Sequence, residues 1–341
     1  MEELEMSSFK VAIVVLDAPE VPAWVVEKLK ARNINFTVRD CHSAEEFLAT
    51  AADADLVWAF GGNKFVSAAS VAPLLPQLPR CGAIVRSGSG TDNIPVALAT
   101  EMGIVVANTP EAISENVADH AIGLLFAVTR QISLHDRLVR EGIWDRTRGW
   151  PKWHFTGQTL GLVGFGNIGQ MVARKMRGFE MNILASDPVV SEDVIRSRGA
   201  HPASLEDLFR QADYVSLHCP LIPDTRHIVN EARLRMMKKS AVLINTGRGG
   251  LVDEKALLQA LTEGWIAAAG LDVLESEPAR ADHPFLKLTN VVITPHIGGY
   301  SDTFLEMMWK HSIQNVMDLA EGRWPRWVVN REVKPRWALK R

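Results

Sequence analysis

Cysteine is scarce: 341 residues contain only Cys41, Cys81 and Cys219. They are odd in number, far apart and match no zinc-ligand spacing. That excludes a disulfide framework, gives no metal site and suits a reducing compartment. Long apolar runs are missing as well, since Ala121–Val128 and Ala267–Leu271 are too short to span a bilayer. The acidic N-terminus lacks the basic start and apolar core of a signal peptide, so the expected location is cytoplasmic. Nor does one sign of charge prevail. With 37 Lys and Arg against 40 Asp and Glu, the net charge of −3 offers no global attraction to nucleic acid or an anionic membrane. No fixed short period recurs, which argues against a solenoid.

What is present is an ordinary globular balance, 47% hydrophobic and 23% charged, over a length that suits two domains. Short β-branched runs alternate with amphipathic stretches, the pattern of an α/β protein with parallel sheets. The first half offers strands at Val11–Leu16, Asn35–Val38, Leu56–Phe60, Ala83–Arg86 and Ile104–Ala107, with helices at Ala23–Ala31 and Ser67–Leu75. Apolar residues at helical spacing predict one long helix over 112–141. A second series follows, with strands at Thr159–Val163, Asn182–Ser186, Tyr214–His218, Ala241–Asn245, Ala268–Val273 and Val291–Thr294. Its helices are Ile168–Met176 and Glu254–Leu261, and a last helix lies near Asp302–Ala320. The fold class expected is α/β, two doubly wound parallel-sheet domains of Rossmann or flavodoxin type, the first of them discontinuous. Residues 1–108 and 296–341 form the expected substrate domain, and 109–295 the dinucleotide domain.

Gly164-Phe165-Gly166-Asn167-Ile168-Gly169 stands between the strand Thr159–Val163 and a helix, and Asp187 ends the next strand, 18 positions after Gly169. A lone GxGxxG is often only a turn, but strand, turn, helix and acid together form the dinucleotide fingerprint. Gly164 permits the tight turn, Gly166 lets a pyrophosphate approach the backbone and Gly169 lets helix and strand pack. The amides of Asn167 and Ile168 supply donors at the helix start. Asp187 suits the adenosine ribose hydroxyls and repels a 2′-phosphate, so NAD is expected over NADP.

Three further segments fall where strands end: Asn245-Thr246-Gly247-Arg248, Gly270-Leu271-Asp272 continuing to Glu277-Pro278, and Thr294-Pro295-His296-Ile297-Gly298-Gly299. Oxidising a 2-hydroxy acid needs a cation for the carboxylate and carbonyl oxygen, a base for the hydroxyl proton, and an acid that supports the base. Arg248 presents a planar fork, His296 titrates near neutral pH, and Glu277 can stabilise a protonated imidazole. Singly, each has a plainer explanation: an ion-pair arginine, a turn, a satisfied loop histidine. Their joint appearance after a dinucleotide fingerprint favours catalysis.

These segments, with Arg86-Ser87-Gly88-Ser89-Gly90-Thr91-Asp92-Asn93, Asn108-Thr109-Pro110 and Glu115-Asn116-Val117-Ala118-Asp119-His120, resemble the D-isomer-specific 2-hydroxyacid dehydrogenase family from about Leu78 to Asp302. The resemblance implies Arg248, Glu277 and His296 as the catalytic set. It puts Asp272 near the nicotinamide, lines the cofactor cleft with Cys219 and Thr246, and assigns Gly298 to the cofactor side as well. Ser87, Gly88, Ser89 and Gly90 become a turn whose amides, with Arg248, hold the substrate carboxylate, an anion-binding nest in physical terms. A small 2-hydroxy or 2-oxo acid is the implied substrate and a homodimer the implied assembly, with no nucleic acid or membrane partner. The segment from Trp144 to Trp153 resembles the arm that carries a Trp toward a neighbouring subunit's pocket, with Trp150 and Trp153 as candidates. Interface packing is the plainer reading. Lys64 could meet a phosphate or carboxylate, though a solvated lysine explains it as well.

Two rivals use the same residues differently. Arg86-Ser-Gly-Ser-Gly, Leu160-Gly-Leu-Val-Gly and Val215-Ser-Leu-His-Cys also resemble NAD-responsive C-terminal-binding-protein corepressors, although Gly299 stands where those carry Trp. The tail Arg331–Arg341, five Lys or Arg against one Glu, invites a nucleic-acid or membrane contact, against which stands the acidic balance of the whole chain.

Overall fold

A computed structural model describes residues 9–15, 20–60, 67–149, 151–152 and 154–340. Lys64, Trp150 and Trp153 lie outside the described residues. The chain divides into two compact units, Met1–Ile113 with Asp302–Arg341, and Ser114–Ser301. The boundaries thus fall after 113 and 301 rather than after 108 and 295. His296 belongs to the second unit, where its N–H is bound to the Asp272 carbonyl oxygen.

The first unit alternates β1 (Lys10–Val15), α1 (Ala23–Lys30), β2 (Asn35–Asp40), α2 (Ala44–Ala51), β3 (Leu56–Phe60), α3 (Ala68–Val71), β4 (Ala83–Arg86), α4 (Val96–Glu101) and β5 (Val105–Ala107). All strands run parallel, in the order β2-β1-β3-β4-β5. Val11–Val15 and Leu56–Phe60 are buried throughout, as the continuous apolar runs of a sheet covered on both faces must be. The helix expected over Ser67–Leu75 is shorter. Pro73 has no N–H to donate, and the chain passes from α3 into a single 3-10 turn at Leu75–Gln77.

The second unit begins with α5 (Ser114–Thr129) and α6 (Ile132–Arg140), two helices where the periodicity predicts one. Gln131 breaks the run in the left-handed conformation, with φ 56°. No residue type announces this break. The later loop packs against it: a Cβ on Gly149 would stand 1.9 Å from Gln131 Oε1.

There follow β6 (Thr159–Val163), α7 (Asn167–Met176), β7 (Asn182–Ser186), α8 (Glu192–Ser197), β8 (His201–Pro202), α9 (Leu205–Gln211), β9 (Tyr214–Leu217), α10 (Glu231–Met236), β10 (Val242–Asn245), α11 (Glu254–Thr262), β11 (Ala268–Leu271) and β12 (Val291–Ile293). The seven strands are parallel, in the order β12-β11-β10-β9-β6-β7-β8. The strand order reverses between β6 and β9, and α/β sheets bind ligands at the carboxyl edge of such a switch point.

The last helix, α12 (Phe304–Ala320), returns to the first unit. Trp309 anchors it, stacked on Phe60 at 3.9 Å and edge-on to Trp58 at 5.1 Å. The basic tail folds onto the same unit. Arg336 donates to the Met102 and Cys81 carbonyls, and the Trp337 indole fills the space where Gly82 has no side chain, 2.1 Å from where a Cβ would stand.

Candidate active site

The glycine turn follows β6, and its geometry explains each glycine. Gly164 has φ 92°, and a Cβ there would strike the Cys219 N–H at 2.6 Å. On Gly169 a Cβ would meet the Gly164 carbonyl oxygen at 2.4 Å, so α7 and the turn touch through backbone. On Gly166 a Cβ would meet nothing within 4 Å. The first and third glycines therefore serve packing, and the second leaves open space.

Asn167 and Ile168 open α7, presenting the amides of its first turn. Asp187, just past β7, accepts the Phe165 N–H at 2.7 Å on one carboxylate oxygen. The other accepts the Val189 and Val190 N–H groups at 2.8 and 3.0 Å, so the carboxylate is fixed beside the turn. Two buried polar atoms close by, His218 Nε2 and Thr246 Oγ1, have no hydrogen-bond partner among the described residues. Burial holds the His218 imidazole down at about 4, hence neutral, and pushes the Cys219 thiol up to about 11. Open space at Gly166, first-turn amides, a fixed carboxylate and unsatisfied polar atoms together fit a dinucleotide.

The ends of β10, β11 and β12 carry the remaining residues. Asn245, 1% exposed, shapes the first turn by accepting the Gly247 N–H and donating to the Arg248 carbonyl oxygen. Arg248 is half-buried and donates from Nη1 to the Gly247 carbonyl oxygen at 2.8 Å. Asp272, 2% exposed, accepts from Thr294 Oγ1, Ile297 N–H and Gly298 N–H at 2.6, 2.9 and 2.8 Å, with His120 Nε2 at 3.3 Å. Burial alone would raise this carboxyl, but the ring of donors prevails and holds it down at about 2. Gly298 belongs to that ring, since a Cβ there would lie 2.9 Å from Asp272 Oδ2.

His296 adopts a left-handed conformation, φ 54°, which a non-glycine residue keeps only when its surroundings enforce it. Its Nδ1 lies 2.7 Å from Glu277 Oε2, while Glu277 Oε1 accepts the Leu274 N–H at 3.0 Å. The imidazole is 47% exposed, leaving Nε2 accessible on the far side of the ring from the carboxylate. Burial works to raise the Glu277 carboxyl, yet its hydrogen bond to His296 and the His296, Leu274 and Arg248 contributions bring it below the ordinary range. Arg248, Glu277 and His296 are therefore within electrostatic reach of one another.

Ser87–Gly90 lies in the first unit, and there the sequence expectation is corrected. Ser87 is fully buried, its N–H donated to the Ala59 carbonyl oxygen and its Oγ held by Trp58 Nε1 and Ser312 Oγ. The Gly88 N–H is donated to Thr109 Oγ1 at 2.7 Å. Both amides are thus spent inside the unit, and only those of Ser89 and Gly90 have no acceptor among the described residues. Residue types could not reveal this, because the competing partners stand far off in sequence. Sequence reading likewise assigned no role to His120, Thr294, His227 or Glu275; His120, Thr294 and Glu275 lay in quoted segments, and His227 carried no signal.

A family model described as the D-isomer specific 2-hydroxyacid dehydrogenase NAD binding domain matches residues 122–298. Glyoxylate reductase of Korarchaeum cryptofilum is 43% identical over 270 residues, 77% of this chain and 80% of that protein. The crystal structure of a glyoxylate reductase from Paecilomyes thermophila superposes with a TM-score of 0.85 at 31% identity, covering 95% of this chain and 99% of that one. An NADPH-dependent glyoxylate/hydroxypyruvate reductase from Sinorhizobium meliloti, solved with NADP and malonate, gives 0.80 at 29% identity, covering 98% and 100%.

Proposed function

The chain belongs to the D-isomer-specific 2-hydroxyacid dehydrogenase family, and from that premise we propose that it interconverts a small 2-oxo acid and its D-2-hydroxy acid through His296, Glu277 and Arg248. That it is a nicotinamide-dependent D-2-hydroxyacid dehydrogenase follows from the family; the residue roles, the cofactor preference and the substrate are this reading's own.

When bound, the nicotinamide supplies or accepts the hydride at the substrate's C2. His296, with Nδ1 committed to Glu277, uses Nε2 to give a proton to the carbonyl oxygen in reduction and to take it back in oxidation. Glu277 fixes the orientation and tautomer of the ring and balances the charge it acquires. Arg248 binds the substrate carboxylate and polarises the carbonyl oxygen as negative charge develops on it. The Ser89 and Gly90 amides are the proposed donors to the carboxylate. Gly164, Gly166, Gly169, Asn167 and Ile168 would hold the pyrophosphate, Asp187 the adenosine ribose, and Cys219, Thr246, Asp272 and Gly298 the remainder of the cofactor.

One observation carries the reading: the 2.7 Å pairing of His296 with Glu277, within reach of Arg248's charge, on the sheet edge that also bears the glycine turn. Because one of the similar structures is NADPH-dependent, membership alone does not choose the cofactor. Asp187, followed by Pro188 rather than a cation, favours NAD. The relative's name points to glyoxylate as the first substrate to try, and α6 with the loop after it supports the proposal of a homodimer.

The test is NADH oxidation across a panel of short and long 2-oxo acids, beside His296→Asn and Arg248→Lys. We expect His296→Asn to lose about 100- to 10,000-fold in kcat with NADH affinity intact. Losing the guanidinium fork in Arg248→Lys should cost about 1.5–3 kcal/mol, roughly 10- to 150-fold in kcat/KM. Full turnover by His296→Asn would overturn the reading.

A further inference from the structure

The turn bearing Arg248 and the turn bearing Glu277 meet backbone to backbone. A Cβ on Gly249 would stand 1.9 Å from the Leu274 carbonyl carbon, 2.0 Å from its oxygen and 2.3 Å from the Glu275 nitrogen. No side chain fits between the two peptides, so the spacing of Arg248 from Glu277 depends on what holds this junction together.

Two side chains grip it. His227, itself left-handed with φ 51°, donates its N–H to the Gly250 carbonyl oxygen at 2.9 Å, and its Nε2 lies 2.5 Å from Glu275 Oε1. It thereby ties the residue two past Arg248 to the residue two before Glu277. From the other side, Glu254 at the start of α11 accepts the Glu275 N–H at 2.7 Å and pairs with His283 at 3.3 Å. Glu275 is held by its carboxylate and its amide at once.

We propose that His227 is a positioning residue for the reaction, setting through Glu275 the separation between the Arg248 guanidinium and the Glu277–His296 pair. This rests on the catalytic reading above. The effect sought is geometric. The His227 and Glu275 side chains are 36% and 31% exposed, where an ion pair adds little to folding stability. A displacement near 1 Å of a group aligned with the reacting atoms, by contrast, can cost about 100-fold in rate. A purely structural pair would show itself in melting temperature; a positioning pair shows itself in kcat.

The experiment compares His227→Ala, His227→Gln, Glu275→Gln and the double variant His227→Ala/Glu275→Gln with the intact chain, with His296→Asn as reference. Readouts are kcat, KM for a 2-oxo acid, the acid limb of the pH profile, NADH affinity and melting temperature. His227→Ala is expected to lower kcat by about tenfold or more with NADH affinity unchanged, the melting temperature moving by no more than about 2 °C. His227→Gln, which keeps an N–H for Glu275, should recover most of the rate. The double variant should be no worse than the poorer single one, as coupled residues require.

Wild-type kcat and an unshifted acid limb in His227→Ala would overturn the proposal. So would a loss that glutamine does not rescue and that follows a fall in melting temperature. If His296→Asn is inactive while His227→Ala is fully active, only the positioning role fails. Turnover by His296→Asn removes the catalytic reading and this one with it.

Discussion

His296 donates its main-chain N–H to the carbonyl oxygen of Asp272 at 2.8 Å, and the next two N–H groups, of Ile297 and Gly298, go to the Asp272 carboxylate. One buried residue thus dictates three consecutive peptides of the turn that presents the proposed base. The left-handed backbone at His296 is the local cost of that arrangement.

Asp272→Asn should therefore change how stability depends on pH. The folded carboxyl is held at about 2, below its unfolded value, so its contribution is complete above the unfolded pKa near 4 and is lost as pH falls toward 2. The shift corresponds to stabilisation on the order of 2 kcal/mol at neutral pH. Urea midpoints measured from pH 7 to pH 2.5 should fall at the acid end for the natural chain and change less for Asp272→Asn. Parallel curves for the two proteins would disprove the assignment.

The first and third glycines of the cofactor turn should separate from the second on substitution. Gly166→Ala enters open space, so the melting temperature should hold while NADH affinity falls by about tenfold or more. Gly169→Ala drives a methyl into the Gly164 carbonyl and should cost about 1–3 kcal/mol of stability. Fluorescence titration and thermal melting of both variants check this; a destabilised Gly166→Ala protein with normal affinity contradicts it.

Cofactor choice should be movable at one position. Asp187→Ala removes the charge that opposes a 2′-phosphate, so kcat/KM with NADPH relative to NADH should rise by about tenfold or more. The loss of the carboxylate that accepts the Phe165, Val189 and Val190 N–H groups should lower the absolute rate with NADH. A ratio that stays constant would show that cofactor discrimination lies elsewhere.

The outer face of α6 and the loop beyond it leave Ile132, Val139 and Trp144 exposed at 56%, 48% and 84%. Apolar groups so placed suit an isologous interface. The triple change Ile132→Glu, Val139→Glu, Trp144→Glu should shift the mass in light scattering toward one chain, at unchanged helix content. A natural chain already monomeric at micromolar concentration sinks the dimer proposal.

Residue patterns carried the strands well where both sheet faces are buried: Leu56–Phe60, Ala83–Arg86 and Thr159–Val163 read from apolar composition with the bounds they have in the structure. The glycine turn was legible because its strand, turn, helix and acid are close in sequence, and its first and third glycines answer a steric demand. The break at Gln131 was not, since no residue type there marks it and the loop packed on it lies beyond α6. The consumption of the Ser87 and Gly88 amides was hidden for a similar reason. The Ala59 carbonyl oxygen and Thr109 Oγ1 take those amides, and a window of neighbouring residues contains neither. His227 and Glu275 act only as a pair 48 residues apart.

Trp309 and Trp337, which close the unit begun by β1, are synthesised after the whole of the other unit. On the ribosome, then, the Ser114–Ser301 unit is complete before its companion is, and the early sheet waits with bare apolar flanks until the final helix emerges. The part of the molecule born first is the last to be sealed.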